Sequence, residues 1–221
     1  MSDLHAPAAV RLTPSETVLL HGDRFAGEAG MLGNKEELLT VDKKVSADQL
    51  AEAALAAAVL GAEQAGSLRL EARTKKALFG LVSRRALYAE RAGGAGWPEG
   101  TLEAQLAARL GAEPAEVGDL VYAMLERDTH SPADDVLDRA KRGLFARGML
   151  EREEVKKLKI FTSYRYRPAP GLADALRENP ADGARALLDR CERERAEVWQ
   201  LLRKQVAGAL SRRREQDFEH D

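Results

Sequence analysis

A chain of 221 residues, 44% apolar and 32% charged, holds enough apolar material for a core and suits one compact domain or two small ones. Its 34 Lys and Arg nearly balance 36 Asp and Glu, leaving a net charge of -2, so overall charge favours neither nucleic acid nor membrane, and an electrostatic site has to come from local clustering. The single cysteine, Cys191, excludes an internal disulfide and a cysteine-built zinc site, and fits a reducing compartment.

Residues 1–11 read as a flexible N-terminus without the basic start and apolar run of a secretory signal. Thr13-Pro14-Ser15-Glu16 then opens a helix through Val18, Leu19 and Leu20 that breaks near Gly22. Gly22, Gly27, Gly30 and Gly33 punctuate a loop-rich stretch to about Lys44. Ser46-Ala47-Asp48-Gln49 opens a second helix, with Leu50, Ala54, Leu55, Ala58, Val59 and Ala62 at helical spacing, stopping at Gly66. Its most apolar part, residues 51–65, is interrupted by Glu52, Glu63 and Gln64; it is too short and polar to span a bilayer, so membrane contact would be peripheral. Leu68, Leu70 and Ala72 alternate with polar residues as in a short half-buried strand. Residues 78–89 fit either period, with Phe79, Val82 and Tyr88 tipping the reading to strand, and residues 93–96 read as a flexible connection.

Two amphipathic helices follow over 101–110 and 113–127. Ser131-Pro132-Ala133-Asp134 starts another that ends at Gly148, with Leu137, Ala140, Leu144 and Phe145 on its core face. Residues 151–167 read as a β-hairpin closed by Pro168 and Pro170. From Leu172 the pattern is helical again, and Leu188, Cys191, Val198, Leu202, Val206 and Leu210 form one stripe on a last long helix. Residues 211–221 read as a charged tail, frayed from Arg212. The expected fold is mostly α: a single compact helical domain over 12–210, with short strands and a projecting β-hairpin.

Catalytic and metal signatures are missing from the sequence. The four histidines are scattered, no G-x-S-x-G elbow occurs, and the 30–35 stretch lacks the spacing and Ser or Thr of a phosphate loop. No enzyme activity and no cofactor are expected. Asp134 and Asp135 suit a helix N-terminus, where the dipole favours acids. Trp97 reads as a loop aromatic packed on a helix or an exposed anchor, and Trp199 as core or partner contact.

The strongest signal is charge clustering. Between Arg139 and Arg167 lie ten cations opposed only by Glu151, Glu153 and Glu154, a local charge of +7, with Ile160, Phe161, Tyr164 and Tyr166 interleaved. Such a hairpin suits an anionic membrane surface, a nucleic-acid backbone with stacking aromatics, or a solvated edge whose lysines discourage aggregation.

Three stretches in order are similar to the Golgi-phosphoprotein-3-like family: residues 12–20, beginning Leu12-Thr13; residues 55–71, an apolar helix ending in Gly66 and a short strand; and residues 142–161, a helix ending Ala146-Arg147-Gly148-Met149-Leu150 before Ile160-Phe161. The resemblance spans roughly residues 11–190. It implies a mostly helical domain with a projecting hairpin, similar to residues 153–166 here, that supports membrane contact and self-association. It also implies a peripheral membrane protein recognising phosphatidylinositol 4-phosphate, an adaptor retaining Golgi enzymes in eukaryotic members. The family's pocket arginines fall near Leu55, Asp134 and Leu137 here, and its pocket tryptophan has no counterpart between Arg24 and Leu55. The residues assigned to anionic headgroups are therefore Arg139, Arg142, Lys156, Lys157, Lys159 and Arg165, with Phe161, Tyr164 and Tyr166 as interfacial aromatics. The expected partners are an anionic phospholipid headgroup, a protein, and a second copy through the hairpin, on the cytosolic face of a membrane. Two alternatives stay open: a protein–protein adaptor or oligomerising scaffold without lipid binding, and a winged nucleic-acid module over residues 46–89 using Arg69, Arg73, Lys75, Lys76, Arg84 and Arg85, although nucleic acid is the disfavoured partner.

Overall fold

The first element follows from its cap. The Thr13 side chain accepts the Glu16 N–H, and Glu16 accepts the Thr13 N–H at 2.8 Å, so Pro14–Leu20 winds into α1. The structure, a computed structural model, describes residues 11–31, 33–77, 82–94, 96–125, 131–157 and 161–218; the expectation for residues 1–10 lies outside them. Of Lys156, Lys157 and Phe161 the backbone alone is described, and Lys159 lies outside the described residues.

A 3-10 turn (Gly22–Arg24) leads to the short antiparallel pair β1 (Lys35–Glu37) and β2 (Lys44–Ser46), and then to α2 (Ala47–Gln64). Strands β3 (Leu68–Ala77) and β4 (Val82–Arg91) form a long hairpin, and β5 (Ala115–Glu116) pairs with β4. Helices α3 (Leu102–Arg109) and α4 (Val117–Met124) flank β5, and α5 (Pro132–Ala146) runs into a second hairpin, β6 (Leu150–Lys157) and β7 (Phe161–Pro168). Helices α6 (Leu172–Glu178), α7 (Ala181–Glu194) and α8 (Ala196–Phe218) complete the chain. The fold is mostly α with small antiparallel sheets.

The alanine-rich α2 is the hub. Leu50, Ala54, Leu55, Ala57 and Ala58 are wholly buried, and the small side chains let α1, α3, α5, α7 and α8 all pack on it. At Gly61 a Cβ would lie 2.6 Å from Pro14 Cγ, so glycine sets how closely α1 crosses α2.

Several expectations need correction. The strand at Leu68 runs ten residues, because β4 supplies a full-length partner. The helix expected over 113–127 starts later, at Val117, since Ala115 and Glu116 pair with β4 first; residues 126 and 127 lie outside the described residues. The connection around residue 93 is tightly held where it is described: Gly94 donates to the Gly66 carbonyl at 2.8 Å, and a Cβ there would lie 2.3 Å from the Gly66 backbone. The last apolar stripe falls on two helices, not one. Arg195 leaves helical geometry (φ -136°, ψ 50°), and its guanidinium takes both carboxylate oxygens of Glu63, at 2.6 and 2.9 Å. The end of the chain is helical to Phe218 and not frayed from Arg212; buried Arg213 donates to the Tyr122 carbonyl at 3.0 Å and lies over the Tyr122 ring.

A buried polar knot fixes the chain start. Wholly buried Glu103 accepts the Ser15 N–H at 2.9 Å and its hydroxyl at 2.8 Å, while buried Glu16 pairs with Arg147. Burial pushes the Glu103 carboxyl above its ordinary range, and nearby Glu16 adds to the rise against the Ser15 bonds. Arg147 follows α5 directly, so the knot also fixes where the second hairpin begins. Gly148 takes a left-handed φ of 72°, and Met149 N–H closes onto the Leu144 carbonyl at 2.9 Å, turning the chain out of α5 into β6.

Candidate functional site

The cations of 139–167 divide by what faces them. Arg139 is held by Asp135 on the preceding helical turn, at 3.0 Å, and by Gln105 Oε1 at 3.2 Å; its side chain is only 15% exposed. Arg142 lies 3.6 Å from the same carboxylate. Lys141 pairs with Glu36 at 3.0 Å and Asp138 at 3.3 Å, and Arg147 with Glu16. Asp135, buried at the start of α5, thus faces both of the expected phosphate contacts on this helix: it holds Arg139 in a largely buried ion pair, while the Arg142 side chain stays 48% exposed.

The β6–β7 finger is different. At its root Arg152 lies between two rings, 4.7 Å from the centroid of Phe145 and 4.3 Å from that of Tyr164, and Phe145 meets Tyr166 edge-on at 6.5 Å. Phe145, expected in the core, is instead a half-open part of this stack. Its role was hidden because a residue at a helix end belongs to whatever the next element brings. Tyr164 is exposed and Tyr166 half-buried. Arg167 pairs with Glu153 at 2.8 Å, while Arg165 is exposed farther along the finger. The register places Lys156 opposite Thr162 and Lys157 opposite Phe161, where the two strands approach their connection.

Between this finger and β1 lies an open groove of about 720 Å³. Residues 35–39 line one side, Tyr164, Arg165, Tyr166 and Pro168 the other, with Lys141 and Val155 between. Burial pushes the Glu36 carboxyl up, against the pull of Lys141; burial alone would lower the Lys141 ammonium, but Glu36 and Asp138 outweigh it and hold it above its ordinary range. Three of the sequence-assigned residues, Tyr164, Arg165 and Tyr166, thus meet at one place, joined by Lys35 and Lys141. Lys35 gave no sequence signal, being far from the cluster along the chain.

The first hairpin carries as many cations, and carboxylates face Arg69, Arg73, Lys75, Arg84 and Arg85. Glu116 accepts from Lys75, from Arg84 at 3.0 Å and from the Tyr88 hydroxyl at 3.3 Å. Glu197 takes Arg85 through two bonds, at 2.7 and 3.1 Å, and Glu90 takes Arg69 and Arg73. Each of these five cations thus faces a carboxylate; the Lys76 side chain lies outside the described residues.

A smaller cavity of about 280 Å³ opens between α2, α7 and α8 beside Trp199, lined by both signs of charge, with Arg185 at 3.9 Å from Asp189. Trp97 donates from its indole N–H to Ser67 Oγ at 3.0 Å and packs on the core. Among the described residues no group of His, Cys, Asp and Glu is arranged to hold a metal ion, and no helix is long and apolar enough to cross a membrane. No protein-family model, curated protein or solved structure matches the chain.

Proposed function

We propose that this chain is a non-enzymatic peripheral binding protein that docks on an anionic membrane surface through the β6–β7 finger. The resemblance to the Golgi-phosphoprotein-3-like family makes phosphatidylinositol 4-phosphate the first headgroup to test and the cytosolic face the expected location. The observation that carries the reading is the uneven balance of charge. Arg139, Lys141 and Arg147, on and just after α5, have carboxylate partners, while Arg165 is exposed and the sequence toward the turn reads Lys156-Lys157-Leu158-Lys159-Ile160-Phe161. Basic groups beside apolar and aromatic ones suit an interface where phosphates lie next to acyl chains, each cation contributing about 1 kcal/mol. Tyr164 and Tyr166 are amphipathic rings of the kind that sit at such a boundary. Arg139, held by Asp135 and only 15% exposed, is left out of this surface.

Vesicle sedimentation tests it. Binding is expected to phosphatidylcholine vesicles containing phosphatidylserine or phosphatidylinositol 4-phosphate, weakening steeply with salt. Equal binding to pure phosphatidylcholine, or binding to none, rejects the reading; a preference between the two anionic lipids decides headgroup specificity.

A further inference from the structure

The groove beside the finger is bounded by two strand edges. Leu38 N–H donates to the Lys43 carbonyl at 3.0 Å, which fixes the bonded positions of the β1–β2 ladder at Leu38 and Glu36. Because bonded and non-bonded pairs alternate in an antiparallel ladder, Lys35 and Glu37 turn their N–H and C=O groups away from β2. In the second hairpin, Ala169 N–H donates to the Met149 carbonyl at 3.1 Å, so the same alternation turns the backbone groups of Tyr164 and Tyr166 away from β6. Pro168, which has no N–H, occupies another outward position, as an edge strand allows. The Lys35 N–H is engaged by Asn34 Oδ1 at 3.0 Å. Both edges line the one open groove of about 720 Å³.

Side chains sort along the same alternation. Glu36 and Tyr166 turn inward toward Lys141 and Phe145 of α5, and Leu38 turns inward toward Gly22; all three are buried or half-buried. Lys35, Glu37 and Arg165 turn outward and are exposed. We propose that the groove accepts an extended segment of a partner protein, paired by its backbone to β1 on one side and β7 on the other. The completed order would be β2, β1, partner, β7, β6. Alternate residues of that segment are apolar, lying over Leu38 and the Tyr166 ring, and the residues between them are acidic, meeting Lys35 and Arg165. Charge complementarity selects acidic residues, because two outward cations outnumber the one outward carboxylate of Glu37 and the neighbouring finger is basic in sequence. Strand addition draws affinity from main-chain hydrogen bonds and specificity from alternate side chains, so it tolerates much sequence variation. The inference goes beyond membrane docking and needs no lipid.

The test uses the full chain and a short synthetic peptide of alternating glutamate and valine with an N-terminal fluorescein, followed by anisotropy without vesicles. Saturable binding is expected. Methylating every second peptide nitrogen, on the edge facing either strand, should weaken it ~10-fold or more, since several main-chain bonds are lost together. K35E combined with R165E should weaken it ~10-fold, with the effect shrinking in high salt. Amide hydrogen exchange gives a readout that requires no variant: Glu37, Tyr164 and Tyr166 should exchange more slowly with peptide bound. No binding of the unmodified peptide, equal binding of the methylated one, or unchanged exchange at these three amides overturns the proposal. So does a dimer in the absence of peptide that protects the same amides, because a second copy would then be the occupant. Vesicle sedimentation run in parallel separates the failure of this proposal from that of the membrane reading.

Discussion

The two long hairpins have similar ingredients and different surroundings. Each places lysines or arginines beside apolar residues at its connection: Lys75, Lys76, Arg84 and Arg85 around residues 78–81, and Lys156 and Lys157 before residues 158–160, with Lys159 between Leu158 and Ile160. The first hairpin is tied to the body by carboxylates from elsewhere, Glu116 at the start of α4 and Glu197 at the start of α8. The second is anchored at its root by an aromatic–arginine stack and, along its length, by an ion pair between its own strands. A run of cations is therefore no docking surface in itself. What decides is whether the fold brings acids to it from elsewhere, as Glu116 and Glu197 do for the first hairpin; in the second, Arg167 has Glu153 of its own strands, and the side chains of Lys156, Lys157 and Lys159 lie outside the described residues.

The sharpest way to break this comparison is to alter each basic run and measure vesicle binding. With the finger lysines replaced, K156A, K157A and K159A, partition onto anionic vesicles should fall by ~100-fold, from about 1 kcal/mol per lysine. K75Q, R84Q and R85Q should change it by less than ~3-fold, since those charges are already matched. Equal losses from both sets would mean that the carboxylate ties do not matter and that the comparison fails.

A smaller effect separates the carboxylates. Glu116 is buried and serves three donors, so Glu116→Gln should lower stability in urea by about 1–2 kcal/mol. Glu153, exposed and paired once with exposed Arg167, should tolerate Gln within about 0.5 kcal/mol. The pH dependence carries a sign. Burial alone would raise the Glu116 carboxyl, but Lys75 and Arg84 outweigh it and hold it below 4.5. Its contribution is present above that unfolded value and lost as pH falls through the folded one. Glu103 is raised by burial, so the folded protein binds the extra proton and loses stability as pH rises from 4.5 through the folded value. Glu103→Gln should therefore gain stability at pH 7 and lose that gain by about pH 4, while the deficit of Glu116→Gln shrinks over the lowest part of the acid range.

Local signals made much of this fold legible. Thr13, Ser46, Thr101 and Ser131 each cap a helix where the sequence places one, because a cap acts within three residues. The Asp135–Arg139 pair lies within one helical turn, so the sequence already held the reason to discount Arg139. Nothing comparable announced the Lys75–Glu116 tie across 41 positions or the Arg85–Glu197 tie across 112. The break at Arg195 has no glycine or proline to mark it, and its partner Glu63 lies 132 positions away. The groove was invisible for the same reason: β1 and β7 are distant in sequence, and β1 lies in a stretch that reads as loop.

The smallest expected effect concerns how the finger is rooted. Arg152 is planar and lies between the Phe145 and Tyr164 rings, whereas an ammonium is a compact, strongly hydrated charge that does not stack. Arg152→Lys keeps the charge and removes the plane, so stability should fall by about 0.5–1 kcal/mol, the scale of a cation–ring contact at a partly open site. Because the finger's charge is unchanged, vesicle affinity should stay within ~2-fold. The bonded amides of the β6–β7 ladder nearest the stack, Glu151, Glu153, Arg165 and Arg167, should exchange faster than in the parent, since the stack joins the hairpin to α5. The matching change in the first hairpin is Arg73→Lys, where Arg73 lies 5.5 Å from the Tyr88 centroid and also bonds Glu71 and Glu90. There the carboxylates should hold the ammonium in place, and exchange along β3–β4 should hardly change. A finger that kept its exchange pattern without the guanidinium plane would show that packing by Phe145 and Tyr166 alone roots it, and that Arg152 is one more surface charge.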